Sequence, residues 1–160
     1  MPQYEIRSAT MDDAYEIMRD PSFLTAAELG GMGLTPWQAL KCVREWLDPR
    51  TSDALYENGR PVALFGHNAH KHFPKVRLTW FICRQRFWEL GPRGVILCRK
   101  YLQSQQVRWP GTTFQSFSRS SHPDVARWFT LLGYEMKVEN DGTVCFNLKP
   151  KSGDRNPVAC

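Results

Sequence analysis

Apolar residues recur along the chain with two different periods, and the switches between them divide it into elements. Gln3–Ser8 reads as a short strand, and Thr10 follows where its hydroxyl can cap a helix with Asp12 and Asp13 in the first turn. Asp20-Pro21 closes that helix. Ser22–Leu29 is a second helical stretch, stopped by Gly30, Gly31 and Gly33, and Thr35-Pro36-Trp37-Gln38 is a capping box opening the next helix. Its apolar face is Trp37, Leu40, Val43, Trp46 and Leu47, and Asp48-Pro49 ends it.

The period then changes. Ala54–Glu57 and Pro61–Phe65 flank Asn58-Gly59, a tight hairpin signal, and after a polar loop from Gly66 to Lys75 the run Val76–Cys83 is the strongest strand. Gly91-Pro92 breaks the chain, Arg93–Gln106 is helical, and Trp109-Pro110-Gly111 ends it. Thr112–Ser118 is a strand. Ser121 or His122 before Pro123 begins a helix with Val125, Trp128, Phe129 and Leu132 on one face and Gly133 after its end. Tyr134–Glu139 and Thr143–Leu148 flank Asn140-Asp141-Gly142, a second hairpin. The order is β-α-α-β-β-β-α-β-α-β-β, an α/β (α+β) chain with a mixed sheet: one domain over residues 1–148, then a polar flexible tail over 149–160.

Composition restricts the class. With 160 residues, 42% of them hydrophobic and 12% aromatic, the chain suits one folded domain and excludes disorder, collagen and coiled coil. The net charge of +5 is concentrated: Lys71 to Arg108 holds nine basic residues against Glu89 alone, a local +8 that leaves the remainder at −3. If these cations converge in space they face an anion. Five scattered cysteines without C-x-x-C fit reduced thiols and no zinc site, and neither a leader nor an apolar span is visible, so a soluble, unexported protein without a membrane partner is expected.

Three stretches in sequence order resemble the Gcn5-related N-acetyltransferase (GNAT) family across Tyr4 to Leu148. They are the opening Tyr4–Asp13, similar to "I-R-x-A-x-x-x-D", the hairpin Leu55–Ala63, similar to "v-x-e-x-g-x-i-v-G", and Ala126–Glu135, similar to the helix end "a-x-x-f-Y-x-k-l-G-F". The resemblance implies that acetyl-CoA lies where the fourth and fifth strands part, with its pyrophosphate on backbone N–H groups opening the next helix. Matching the family's Q/R-x-x-G-x-G/A to this turn sets Gly94 at the first glycine. Gly91 then stands where Gln or Arg is expected, Ile96 where a small residue is expected, and Pro92 lacks an N–H. The implied cofactor-binding residues are Arg86, Gly91, Arg93 and Gly94, the arginines supplying charge. Catalytic residues stay unassigned, because Val76–Cys83 has no carboxylate, Phe129 occupies the position of the family's tyrosine, and His122 falls where Asn is common.

A narrower resemblance is to the GNAT-like internal virion proteins of short-tailed podophages. It is carried by Glu28–Leu40, Tyr56–Phe65, Trp80-Phe81-Ile82, Phe87–Leu90, Arg99-Lys100 and Arg127–Gly133. It implies a bacteriophage protein that organises or assembles the internal virion core, with weak or no acetyl transfer, working against other virion or core proteins or a host protein. Its location would be the host cytoplasm or the virion, with acetyl-CoA as cofactor only if active. The alternative is an acetyl-CoA-dependent N-acetyltransferase acting on a small amine or a protein amine. A nucleic-acid-binding module is a third reading, from the basic stretch and the six tryptophans, most of which their spacing assigns to the core.

Two further clusters carry chemistry-bearing residues. His67, His70 and His72 lie within six residues, but without helical spacing or a carboxylate among them they read as an exposed hairpin loop and not a metal site. Ser120, Ser121, His122 and Asp124 read as helix capping, and the apolar neighbours of Cys83 and Cys98 make those thiols buried and inert.

Overall fold

A computed structural model describes residues 1–151; from residue 152 onward the expected tail lies outside the described residues. The chain opens with β1 (Tyr4–Ser8), α1 (Met11–Arg19), α2 (Phe23–Gly31) and α3 (Pro36–Trp46), then β2 (Ser52–Glu57), β3 (Arg60–Ala69) and β4 (Val76–Cys83). The short α4 (Gln85–Trp88) leads into α5 (Pro92–Arg108), and β5 (Thr113–Ser118), α6 (Pro123–Leu131), β6 (Glu135–Val138) and β7 (Val144–Leu148) complete it. The expected order counted two helices before the second strand, and there are three. Each has its own side-chain cap, from Thr10, Ser22 and Thr35, because Asp20-Pro21 and Gly33 each stop a helix and the following hydroxyl starts another. The one-turn α4 is the other addition to that order.

The strands form one seven-stranded mixed sheet in the order β1-β2-β3-β4-β5-β7-β6, antiparallel except for β4 beside β5. Both hairpins form as read: Asn58 and Gly59 take positive φ of 50° and 78°, and Gly142 one of 82°. Apolar stripes cover both sheet faces. Ile17 of α1 and Val43 of α3 pack with Leu64 and Ile82 of the sheet, while Cys98 of α5 and Trp128 of α6 pack with Phe65 of the sheet and Phe87 of α4.

The loop expected from Gly66 to Lys75 begins only after Ala69. β3 runs on to Ala69, and His67 in it is only 1% exposed, so the exposed-loop reading of the three histidines is corrected for His67. The strand persists because its polar groups find internal partners. Arg77 Nε donates to His67 Nδ1 at 2.6 Å, which places the ring proton on Nε2, facing Gln105 Oε1 at 2.9 Å, and Asn68 Nδ2 donates to the Trp46 carbonyl at 2.8 Å. Burial first, and then Arg77 and Arg108, hold the His67 pKa down at about 4 from 6.5. The unfolded chain therefore binds the proton that the folded one refuses, and stability falls as pH drops through the window from 6.5 towards 4. Lowering the pH from 7 to 5.5 is expected to cost about 1 kcal/mol, read as a lower urea midpoint, and His67→Gln should flatten that slope.

The basic stretch does not converge on one face either. α5 is 17 residues long, or roughly 25 Å, and it carries Arg93 at one end and Arg108 at the other. Arg77 lies over the Trp109 ring at 4.0 Å, Arg84 pairs with Glu16 and Asp20, and Arg86 pairs with Glu57 and Glu89. Much of the +8 is thus neutralised or separated along the helix. Of the tryptophans, Trp128 is buried and Trp37, expected on the apolar face of α3, is 67% exposed.

Candidate functional site

The parallel join of β4 to β5 is short. Residues pair only from Val76 opposite Thr113 to Leu78 opposite Gln115, after which β4 continues to Cys83 and β5 to Ser118 without pairing to each other. Two side chains mark the apex: Thr79 Oγ1 donates to the Gln115 carbonyl at 3.2 Å, and Ser116 Oγ donates to the Thr79 carbonyl at 3.4 Å. Arg84 N–H bonds the Val62 carbonyl of β3, so ladder alternation turns the main-chain groups of odd-numbered β4 residues towards β5. The Cys83 N–H donates to Thr25 Oγ1, and its carbonyl accepts from Ser22 N–H. Those of Phe81 face the opening.

That opening is a cleft of about 300 Å³, walled by α2 on one side and by Trp88, Val125 and Trp128 on the other. Its lining is mostly apolar, with Glu28, Thr25, Asn68, Thr79 and Ser116 among the polar exceptions. Glu28 is a carboxylate on this wall to which the sequence pattern does not point, because the family resemblance implies one on or near the fourth strand. α2 delivers it instead, and Ser118 Oγ donates to Glu28 Oε1 at 2.6 Å. Burial pushes the Glu28 pKa above its ordinary 4.5, partly offset by the Ser118 bond. One signal was available: Glu28 is the lone charged residue between Ser22 and Gly33.

Phe129 lines the cleft without a hydroxyl, stacked on Phe146 at 4.1 Å between ring centroids. The nearby phenol belongs to Tyr134, whose OH lies 3.5 Å from Thr79 Oγ1 and whose pKa burial pushes up to about 12. It keeps its proton at neutral pH.

The four residues implied for cofactor binding lie on α4 and the first turn of α5. Gly91, Arg93 and Gly94 come together there, with Gly91 at φ 55° preceding Pro92. The main-chain donors from Leu90 to Gly94 are already used. Leu90 N–H bonds the Phe87 carbonyl, Gly91 that of Trp88, Arg93 that of Leu90 and Gly94 that of Gly91, at 3.1–3.2 Å, while Pro92 has none to give. A Cβ on buried Gly94 would lie 3.4 Å from Phe87 Cζ, an ordinary contact, so packing there does not demand glycine. Arg86 forms a two-bonded pair with Glu57 at 2.6 and 2.8 Å and a third bond to Glu89 at 2.9 Å. The splayed strands fit an acyl-thioester arm; this turn does not fit a pyrophosphate.

Elsewhere, His122 Nδ1 accepts from Asp124 N–H as the cap of α6, as the capping reading required. Cys83 and Cys98 are buried, with burial pushing the Cys83 thiol up to about 12 and Cys98 higher still, as the inert-thiol reading required. Cys42, Cys83, Cys98 and Cys145 are all free. Among the described residues, no three His, Cys, Asp or Glu side chains cluster to hold a metal, and no helix is long and apolar enough to cross a membrane.

No protein-family model and no curated protein matches the sequence. Solved structures do match. The ribosomal-protein-S18-alanine N-acetyltransferase of Escherichia coli superimposes with a TM-score of 0.68 at 16% identity, covering 96% of this chain and 98% of its own. A GNAT superfamily phosphinothricin acetyltransferase from Sinorhizobium meliloti, solved with acetyl-CoA, gives 0.62 at 13% identity over 94% of both chains. An acetyltransferase from Thermus thermophilus gives 0.64 at 13% identity over 92% of this chain and 97% of its own. Strand order, the parting of β4 from β5 and these superpositions agree: this chain has the fold of the GNAT acetyltransferases.

Proposed function

We propose that the protein is an N-acyltransferase that moves an acetyl-sized group from a thioester to an amine. The observation that carries the reading is Glu28, a carboxylate with a raised pKa on the wall of the cleft opened by the parting of β4 and β5. An amine reaches neutral pH as an ammonium and cannot attack until it loses a proton. Glu28 takes that proton. The Phe81 N–H, turned towards β5 beyond the last ladder pair, is placed to hold the oxygen of the thioester carbonyl as charge develops on it. The amine nitrogen bonds the carbonyl carbon, the carbon–sulfur bond breaks, and the sulfur leaves with the bonding pair. The nitrogen, cationic once it is bonded to carbon, sheds its second proton as the amide forms, and one proton reaches the sulfur through the Thr79 hydroxyl, backed by the buried Tyr134 OH, the role that Phe129 cannot fill.

Acetyl-CoA is the donor bound by the phosphinothricin acetyltransferase neighbour, and it supports this reading over a virion-core role. Neither the fold nor its neighbours lend support to the podophage assignment or to virion partners. Incubating the protein with acetyl thioesters and a panel of small amines and amino-terminal peptides tests the proposal. The expected result is thiol release that depends on the amine; absence of release with every acceptor would defeat it.

A further inference from the structure

The donor end of the cleft is built for only part of acetyl-CoA, and the mismatch is specific. A nucleotide-bearing thioester needs main-chain N–H groups for its pyrophosphate at the helix start beyond β4. Here every N–H from Leu90 to Gly94 is bonded within the turn or absent at Pro92. Ile96 stands where a small residue would let phosphate approach, and Arg86 is committed to Glu57 and Glu89. The cleft itself is open, and the main-chain groups of Phe81 face it beyond the last β4–β5 pair. An amide-bearing arm lying in the cleft can pair with them, whereas a nucleotide outside the cleft cannot.

We propose that this protein recognises its donor through the acyl-pantetheine arm, with the adenosine and pyrophosphate of CoA contributing little. The inference rests on the acyl-transfer reading above. The donor class is therefore any acyl-pantetheine thioester, whether the arm is attached to a nucleotide, to an acidic carrier protein or to nothing.

When remote substrate parts supply binding energy, truncated substrates lose rate. Acetyl-CoA, acetyl-pantetheine and the acetyl thioester of N-acetylcysteamine are compared with one amine at equal concentrations. Acetyl-CoA and acetyl-pantetheine are expected to agree within about fivefold in kcat/KM, with the shorter N-acetylcysteamine thioester, which lacks most of the arm, falling at least about tenfold. An advantage of about a hundredfold or more for acetyl-CoA over acetyl-pantetheine would overturn the inference while leaving acyl transfer intact. Failure of all three donors with every amine would overturn both.

A binding measurement makes the same distinction without turnover. Adenosine 3′,5′-bisphosphate at millimolar concentration is expected to leave the melting temperature unchanged, and a rise of more than about 2 °C would count against the inference. Arg93→Ala, which removes the exposed arginine of the turn, should shift the KM for acetyl-CoA by less than about threefold; a larger rise would show that the nucleotide is gripped.

Discussion

Gly66→Ala is expected to lower stability by about 3 kcal/mol and transfer activity by more than about tenfold, a larger effect than one added methyl group suggests. Gly66 lies opposite Trp80 across the β3–β4 ladder. A Cβ there would lie 2.6 and 2.7 Å from two carbons of the indole and 2.8 Å from Ser52 Oγ. Real Cβ atoms do not come that close, so something must move. Ser52 is fully buried and accepts the Asp48 N–H at 3.1 Å, which leaves the indole as the group to yield. Trp80 packs beside Trp46, and both rings line the cleft, so displacing it distorts the wall next to the β4–β5 opening. Urea denaturation and kcat/KM on the same variant measure the two effects. A midpoint like that of the wild type would show that the indole is not seated on this glycine.

Glu28→Gln is expected to reduce kcat/KM about 10²–10³-fold while leaving the fold intact, since the amide keeps an oxygen for Ser118 but cannot take a proton. The sign of the pH dependence follows from the direction of the shift. A general base works when deprotonated, and burial raises the Glu28 pKa, so the rate should fall as pH drops through a value above the ordinary 4.5. Ser118→Ala removes the bond that lowers this pKa and should move the acid limb to higher pH. Gln at 28 should abolish that limb altogether. Retention of wild-type rate by Glu28→Gln would remove the carboxylate from the mechanism.

Local punctuation explains why so much of the fold was legible. Thr10, Ser22 and Thr35 each precede a helix and cap it, and Asn58-Gly59 closes a hairpin through positive φ, because these effects act within three or four residues. What failed depends on distant partners. His67 looked like a loop residue until Arg77 and Gln105 satisfied its ring inside the sheet. Glu28 was invisible as a site residue because Ser118 is 90 positions away. The basic stretch looked like one anion-facing surface because sequence spacing does not record the length of α5 or the carboxylates of β2 and α1 that neutralise Arg86 and Arg84. At the turn Gly91–Gly94 the sequence shows the departures from the family's phosphate loop at Gly91, Pro92 and Ile96, and the structure adds the internal hydrogen bonds that use the donors from Leu90 to Gly94.

Three ladder pairs and the side-chain bonds of Thr79 and Ser116 stitch β4 to β5, which makes the sheet two panels on a narrow seam. β1–β4 form one panel, clamped by α1 and α3, and β5, β7 and β6 form the other, held by α6. Such a seam is where amide hydrogens exchange through local opening sooner than in the panel interiors. A thioester lodged between the panels would bridge them, so occupancy of the cleft should slow exchange at Thr113 and Gln115 as well as at the residues it touches.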